Sequence, residues 1–512
     1  MGAIVSSNVQ NERSISLWMP IPDLPGMPVE DSRPADLVVI GGGMAGLSVA
    51  YEALLAGRQV TVLDRGPIAS GMTARTTAHL ASALDDRYYE FIGLRGEAQA
   101  KLLYESLAAA VDRIEEIATQ EAIDCNFLRC DGYLFLGEGD KIEILEKELA
   151  ACHKIGFNDV RWQSRAPLPT FDSDRCLRFP RQARFHPLKY LHGLARAIIT
   201  KGGALRPYTA VDEITQDGTA VAIKTRNGQT ILARDVVCAT NAPIAGRLTL
   251  QAKMAPYRSY AMAFEIPKSS VKDALYWDTL DAYHYVRLQP GTEKDWLIVG
   301  GEDHKTGEAD DAQVRFDGLE TWTKMRFGDV GRATHKWSGQ VLEPVDFAGY
   351  VGRDPDNEHI YFVTGDSGQG ITNGAVAGLL IPALFDGGDH PWRELYDPAR
   401  VSLKAAGSFI SENSTALKSM AEHLGGPLLD REEALQPGEG GLVRDGLNVI
   451  AVYRDDEGKP HRVSSMCSHV GCTVHFNSFE RCWDCPCHGS HFDIDGNELN
   501  APATAPLAAI ER

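Results

Sequence analysis

Hydrophobic and polar positions change period several times along this chain, and each change predicts an element. Leu37 to Ile40 is a continuous apolar run, as a strand buried on both faces requires. Glycines spaced G-x-G-x-x-G follow at Gly41, Gly43 and Gly46, then an Ala/Leu-rich helix over Leu47 to Ala56. Gly57 is placed to stop that helix, and Gln59 to Leu63 predicts a second strand ending at Asp64. Leu103, Leu107, Ala110, Ile114 and Ile117 recur every three or four residues, so Gly96 to Gln120 predicts a helix with one apolar stripe. Lys141 to Ile155 predicts another amphipathic helix. Pro187 to Lys201 predicts a third, with Pro at its start and Gly202-Gly203 at its stop. Asn227-Gly228 marks a hairpin turn before a strand over Asp235 to Asn241. Residues 253 to 345 alternate apolar and polar and are rich in Tyr and Trp, which predicts an antiparallel sheet. Tyr361 to Thr364 runs into Gly365, Gly368 and Gly370 and then a helix over Ala375 to Phe385, a second strand–glycine–helix unit. Beyond Pro437 to Gly441 the segments are short and β: Asn448 to Tyr453 and Arg462 to Ser465, with turns at Asp455 to Gly458 and Asp495-Gly496.

The first unit has the parts of a dinucleotide site. Gly41 permits the tight turn, Gly43 lets a pyrophosphate approach bare backbone, and Gly46 lets the helix pack close to the strand. The helix N-terminus, at Met44 and Ala45, offers free N–H groups to phosphates. Asp64, followed by Arg65, sits where a ribose-binding acid belongs. The hydroxyl-rich stretch Gly66 to Leu80, with Arg75, Thr76, Thr77 and His79, can wrap a diphosphate and a flavin edge. Thr240 and Asn241 end a strand at the same place. Gly365, Asp366, Gly370, Ile371 and Thr372 of the second unit complete the candidate cofactor residues. Two such units around one large cofactor favour FAD over a nicotinamide nucleotide. The fold class expected is α/β: a Rossmann-like FAD-binding domain with an antiparallel-sheet substrate domain, plus a small all-β C-terminal domain.

The net charge of −19 argues against nucleic acid and anionic membrane surfaces as partners. No run approaches the length of a membrane span and no signal peptide opens the chain, so a cytoplasmic location is expected. Met1 to Ser6 fits the N-myristoylation pattern, a short pattern for which chance is the preferred reading. Residues 1–35 hold five prolines and read as an irregular arm laid over the surface, with Trp18 as its anchor.

Five of the ten cysteines lie between Cys467 and Cys487, which reads as a metal site. Cys467-x-His469 and Cys485-x-x-His488 give two thiolates and two imidazoles on two loops. That set suits a [2Fe–2S] cluster with two Cys on one iron and two His on the other, at about −150 to +300 mV. A zinc site of Cys467, Cys472, Cys482 and Cys485 competes, but leaves His469 and His488 without a role. The segment resembles a Rieske domain. The resemblance implies a bridge between Cys472 and Cys487 and a hydrogen bond from Ser490 to a cluster sulfur. It also implies a potential below the top of the range, because Phe492 stands where high-potential members have Tyr.

Residues 36–395 resemble the D-amino-acid oxidase/glycine oxidase/sarcosine oxidase superfamily. The resemblance rests on the opening fingerprint, Arg75 to His79, Val236 to Asn241 and Gly365 to Gly374. The whole chain resembles the bacterial subgroup that joins this module to a C-terminal Rieske domain. The division expected is an arm (1–35), the FAD-dependent module (36–395), a linker (396–436) and the Rieske domain (437–512). FAD-binding segments are expected at 36–90, 185–245 and 340–395, and substrate-domain segments at 100–180 and 250–339. The resemblance implies oxidation of a C–N bond of a small amine or amino acid by hydride transfer to flavin. A fused cluster adds one-electron transfer to an external protein or quinone, and so a dehydrogenase. Alternatives are an electron-transfer or redox-sensing component without its own substrate, and a flavin hydroxylase. Many relatives place a carboxylate-clamping Arg after a W-x-G-x motif; Trp337-Ser-Gly-Gln340-Val lacks it, and Arg287 is a candidate substitute. Dimethylglycine dehydrogenase-like relatives bond a His to flavin at the place His79 resembles, although noncovalent FAD is the expectation here. Tyr260, His284, Tyr285 and His304 are the candidate catalytic groups.

Overall fold

Ala35–Ile40, Met44–Leu55 and Val60–Leu63 form the strand–helix–strand unit that the glycine spacing predicts. The computed structural model describes residues 12–19, 35–245, 248–402, 428–446 and 448–511. In it, Ala35–Ile40 is the centre of a sheet. It pairs in parallel with Val60–Leu63 on one side and Thr230–Cys238 on the other. Ala204–Arg206 and Ile360–Thr364 extend the parallel set outward. Ile40 is in register with both Leu63 and Cys238, and Cys238 with Phe362. The carboxyl ends therefore share one edge, and the loops beyond them converge there, as ligand-binding loops do in such sheets. The hairpin at Asn227-Gly228 joins Ala220–Thr225 to Thr230–Cys238 as expected.

The second glycine unit becomes Ile360–Thr364 and the helix Gly370–Leu384. The helix starts five residues before the expected Ala375, after a turn in which Gln369 N–H donates to Asp366 O. It lies against Met44–Leu55, and both helix N-termini reach the same sheet edge. One expectation needs correction. Gly370–Gly387 is long and apolar enough to match a membrane span, with a mean hydropathy of 1.2, yet 67% of it is buried in the protein. It is the core helix of this layer.

A second sheet carries Ala333–Pro344, Met254–Pro267, Lys294–Lys305 and Tyr285–Pro290 in antiparallel order. It is not antiparallel throughout: Leu275–Asp278 pairs in parallel with Leu128–Phe135. The helix Glu97–Gln120 buries Leu103, Leu107, Ala110, Ile114 and Ile117, the stripe read from the sequence.

The C-terminal region is all β. Gly440–Asp445, Asn448–Arg454 and Pro460–Ser464 form one small sheet, and four short strands between His475 and Asn500 form another. They enclose their own core around Trp483, Phe492 and Tyr453. Residues 403–427 of the expected linker and the Met1–Ser6 pattern lie outside the described residues. In the described part of the arm Arg13 and Ile15 are exposed while Glu12, Ser14, Ser16 and Trp18 are buried: Ser14 is held by Glu480 of the C-terminal region, and Trp18 packs on His186 and donates to Thr76 O.

Candidate active site and cluster site

The converging loops and the second sheet enclose one long cavity. Gly41, Gly43, Met44, Ala45, Asp64, Arg65, Thr76, Thr77, His79, Thr240, Asn241, Gly365, Asp366, Gly370 and Ile371 all line it, while Gly46 and Thr372 stand behind its wall. The tight turn has no room for side chains. A Cβ at Gly41 would lie 2.3 Å from Ala239 O, and one at Gly46 only 1.8 Å from Gly41 O. Asp64 accepts from Gly42 N–H at 2.7 Å and Gly66 N–H at 2.8 Å, which pins its carboxylate at the strand end. Asn241 Nδ2 and His79 Nε2 are buried on the cavity wall without a hydrogen-bond partner, as groups that await a ligand would be. Burial first, then the Arg287 charge, holds His79 down to about 3, so its ring is neutral. These features fit FAD.

Arg75 touches the cavity, but its guanidinium is turned away. It donates to Ser14 Oγ, Ser338 O and Glu480 Oε1, and to the carbonyls of Glu12 and Ser14. Of the candidate catalytic groups only Tyr285 lines the cavity. Tyr260 bonds His304 Nε2 at 3.0 Å and packs on Phe316 and Phe479, away from it. His284 is held between Asp278 (2.8 Å) and Glu302 (3.3 Å) and stacks on Trp322, which makes it a packing residue. Arg287 is fully buried and donates to the carbonyls of Ala78 and Phe185, so it cannot reach a substrate carboxylate. Val341, which follows the Trp337–Gln340 segment, presents an apolar residue to the cavity instead.

The C-terminal region forms part of the same cavity through Glu498, Asn500, Ala501, Ala503 and Thr504. Arg226 holds Glu498 at 3.1 and 3.2 Å, and Arg65 donates to Glu498 O. Closer to the second sheet, Arg258 is completely buried. It donates to Ser338 Oγ, Glu12 Oε1 and both oxygens of Asp484 at 2.9 to 3.0 Å. His491 Nδ1 lies 2.6 Å from Glu12 Oε1. Ser14 binds Glu480 through both N–H and Oγ. Arm, sheet and C-terminal region thus share one buried ionic knot. Beside it, Gln340 Nε2 donates to Gly489 O at 2.9 Å, and Gln340 Oε1 lies 2.7 Å from His491 Nε2.

Gly489 belongs to the second cysteine–histidine loop. The Cys467 and Cys485 thiols are in contact, and the His469 and His488 rings lie 5.1 Å apart at 85°. Nδ1 of both rings is buried without a partner. Two thiols in contact and two neighbouring imidazoles with bare Nδ1 atoms supply the donor set of a [2Fe–2S] cluster. Cys472 and Cys487 are bridged. The competing zinc set is broken up, since Cys472 is tied to Cys487 and Cys482 faces Asp484 Oδ1 at 3.3 Å. Ser490 Oγ accepts from Ala503 N–H and contacts Cys467.

Sequence reasoning missed Asp85, Ser259, Tyr283 and Asp303 on the cavity wall, and the whole knot. Arg258 left a trace, as a charge in the mostly apolar strand Met254–Pro267, whose other charged residue, Glu265, is exposed. The partners of the knot are up to 466 residues apart and share no local pattern.

Residues 36–384 match the FAD dependent oxidoreductase family, and residues 415–511 match the Rieske [2Fe-2S] domain. The chain is 30% identical over 516 residues to YhfW of Bacillus subtilis (strain 168), whose name describes a Rieske 2Fe-2S iron-sulfur protein. That match covers 99% of this chain and 100% of YhfW. Gamma-glutamylputrescine oxidoreductase of Escherichia coli (strain K12) is 27% identical over 70% of this chain and 85% of its own length. Glycine oxidase from Geobacillus kaustophilus shares the fold, with a TM-score of 0.62 and 18% identity over 72% of this chain and 100% of that one. Fingerprint, cavity, cluster loops and these matches agree: the chain belongs to the FAD dependent oxidoreductase family and carries FAD together with a C-terminal Rieske [2Fe-2S] domain.

Proposed function

We propose that this enzyme is a dehydrogenase that oxidises a C–N bond of a small amine or amino acid and delivers the electrons singly to an external protein or quinone. When bound, FAD supplies a hydride acceptor and the [2Fe–2S] cluster a one-electron relay. The substrate loses a hydride from carbon and a proton from nitrogen, and water hydrolyses the resulting imine. Gln340 carries the reading. It lines the cavity, and its side chain binds the carbonyl of Gly489, the residue after the proposed cluster ligand His488. A Cβ at Gly489 would lie 2.5 Å from Gln340 Nε2, so the cluster loop is pressed onto the cavity wall by bare backbone. His491 and Thr306 bond Gln340 Oε1 and fix its orientation. One buried side chain therefore joins the two sites. Cavity residues on the second sheet and in the loop before it, among them Tyr285 and Tyr283, suit a substrate pocket, which supports an enzyme over a carrier without its own substrate. We place the enzyme in the cytoplasm.

Anaerobic addition of a substrate amine to the holoenzyme should bleach the flavin and raise the electron paramagnetic resonance signal of the reduced cluster together. A cluster that stays oxidised beside fully reduced flavin ends the proposal. So does rapid peroxide formation that Cys467→Ser leaves undiminished.

A further inference from the structure

We infer that the part of the cavity walled by the second sheet is a receptor for an organic cation, and that the substrate is an alkylammonium compound with no carboxylate on its reacting carbon. This rests on the oxidation proposed above and narrows its substrate class.

The wall there is made by Trp277, His79, Tyr283 and Tyr285 with two carboxylates, Asp85 and Asp303. The rings follow one another, Tyr283 to Tyr285 at 5.4 Å, Tyr285 to His79 at 5.5 Å and His79 to Trp277 at 6.3 Å. Electron-rich ring faces set around one space attract ammonium groups. Tyr283 donates to Asp85 at 3.1 Å, and Ser259 bonds Tyr285 OH at 2.7 Å, so both tyrosines are held in place. Asp303 Oδ1 forms no well-directed hydrogen bond, although Ser259 lies beside the carboxylate. A carboxylate on the cavity wall with no cationic side chain bonded to it accommodates a cation from outside the chain.

The nearby guanidinium groups are committed elsewhere. Arg87 donates to the carbonyls of Asp85 and Asp278. Arg315 pairs with Asp311 and donates to the carbonyls of Glu302 and Asp303. Arg65 and Arg226 are bound to Glu498, and Arg75 to Glu480. An α-carboxylate entering this space would meet two acids and the apolar Val341. Burial and neighbouring acids already push Asp85 up to about 7, and burial pushes Asp303 up to about 6, so a positive ligand relieves the site.

Two measurements on the oxidised holoenzyme test this. Tetramethylammonium, which has no N–H to lose, should perturb the flavin absorption saturably, whereas benzoate at tenfold higher concentration should not. Asp85→Asn and Asp303→Asn, each checked for full flavin content, should weaken the cation at least tenfold. Benzoate binding with no response to tetramethylammonium overturns the inference. For turnover, butylamine and L-norvaline differ only by a carboxylate on the carbon that bears their single amine. The amine should bleach the flavin at least 100-fold faster, and equal rates overturn the inference while leaving the oxidation intact. If neither compound nor any other amine bleaches the flavin while tetramethylammonium still binds, the oxidation fails and the cation receptor stands.

Discussion

Replacing Arg258 by Met should loosen the docking of the Rieske domain without unfolding either core. Arg258 is fully buried and joins the strand Met254–Pro267 to Glu12 of the arm and Asp484 of the Rieske domain. Met keeps much of the volume but leaves two buried carboxylates without their shared counter-charge. Removing one partner of a buried ion pair costs about 3–5 kcal/mol. Asp484 would retain Asn477 Nδ2 at 2.9 Å, and Glu12 would retain Arg75 at 3.4 Å and His491 at 2.6 Å. Those remaining partners place the loss near the lower end, about 3 kcal/mol, or about 150-fold in the docking equilibrium. Apart from the bond to Ser338 on the neighbouring strand, the bonds lost cross between arm, sheet and Rieske domain, so most of the cost falls on docking. Ser14 N–H, which donates to Glu480 Oε2, can exchange only when the arm and the Rieske domain separate. Hydrogen exchange read by mass spectrometry should therefore speed up by about 150-fold at Ser14, while Val38 to Ile40 in the central sheet keeps its protection. Adding Asp484→Asn and Glu12→Gln should recover part of the loss. Unchanged exchange at Ser14 in Arg258→Met would refute the assignment of the knot as the docking device.

Replacing both Cys472 and Cys487 by Ser opens a bridge with a sequence separation of 15, which should lower the stability of the Rieske domain by about 3 kcal/mol in denaturant titration. Gly46→Ala drives a methyl to 1.8 Å from Gly41 O, so the purified variant should lack the flavin absorption band. Phe492→Tyr should raise the cluster potential in a redox titration by supplying a phenol donor at this buried position. Tetramethylammonium does not titrate, so its binding isolates the receptor's own protons. Asp85 at about 7 is faced by Asp86, Arg87, Tyr283, Asp303 and Glu343, and Asp303 at about 6 by Ser259, Arg315, His284 and Glu302. Both acids are raised, so the charged, binding form is lost as pH falls; affinity should rise about 30-fold from pH 5.5 to pH 8 for a pKa near 7. A flat profile would rule out ionised Asp85 as a binding group.

The legible parts of this protein are those whose chemistry is local in the chain. Turn, helix and strand around Gly41–Gly46 were readable because each glycine answers a constraint set within a few residues, as the 1.8 Å approach at Gly46 shows. The cluster loops were readable because two short segments carry both Cys–His pairs, and the His469 and His488 rings, each with an unpartnered nitrogen, lie 5.1 Å apart. Periodicity found the stripe on Glu97–Gln120 because a helix repeats its buried face at a fixed interval. Three of the four catalytic candidates stand off the cavity for the opposite reason. Tyr260, His284 and His304 are polar residues in or beside sheet strands, and which face of the sheet looks into the cavity is decided by packing and bulges, such as the register shift between Arg258 and Tyr260. Tertiary structure alone turned Arg75 from a candidate cofactor group into a clamp for the arm, and gathered Glu12, Arg258, Glu480, Asp484 and His491 into one knot. It also brought Asp85 and Asp303 together beside the same two rings, Tyr283 and Tyr285. Charges separated by hundreds of residues leave no period or spacing to read; they become neighbours only when the Rieske domain closes over the cavity and removes the water between them.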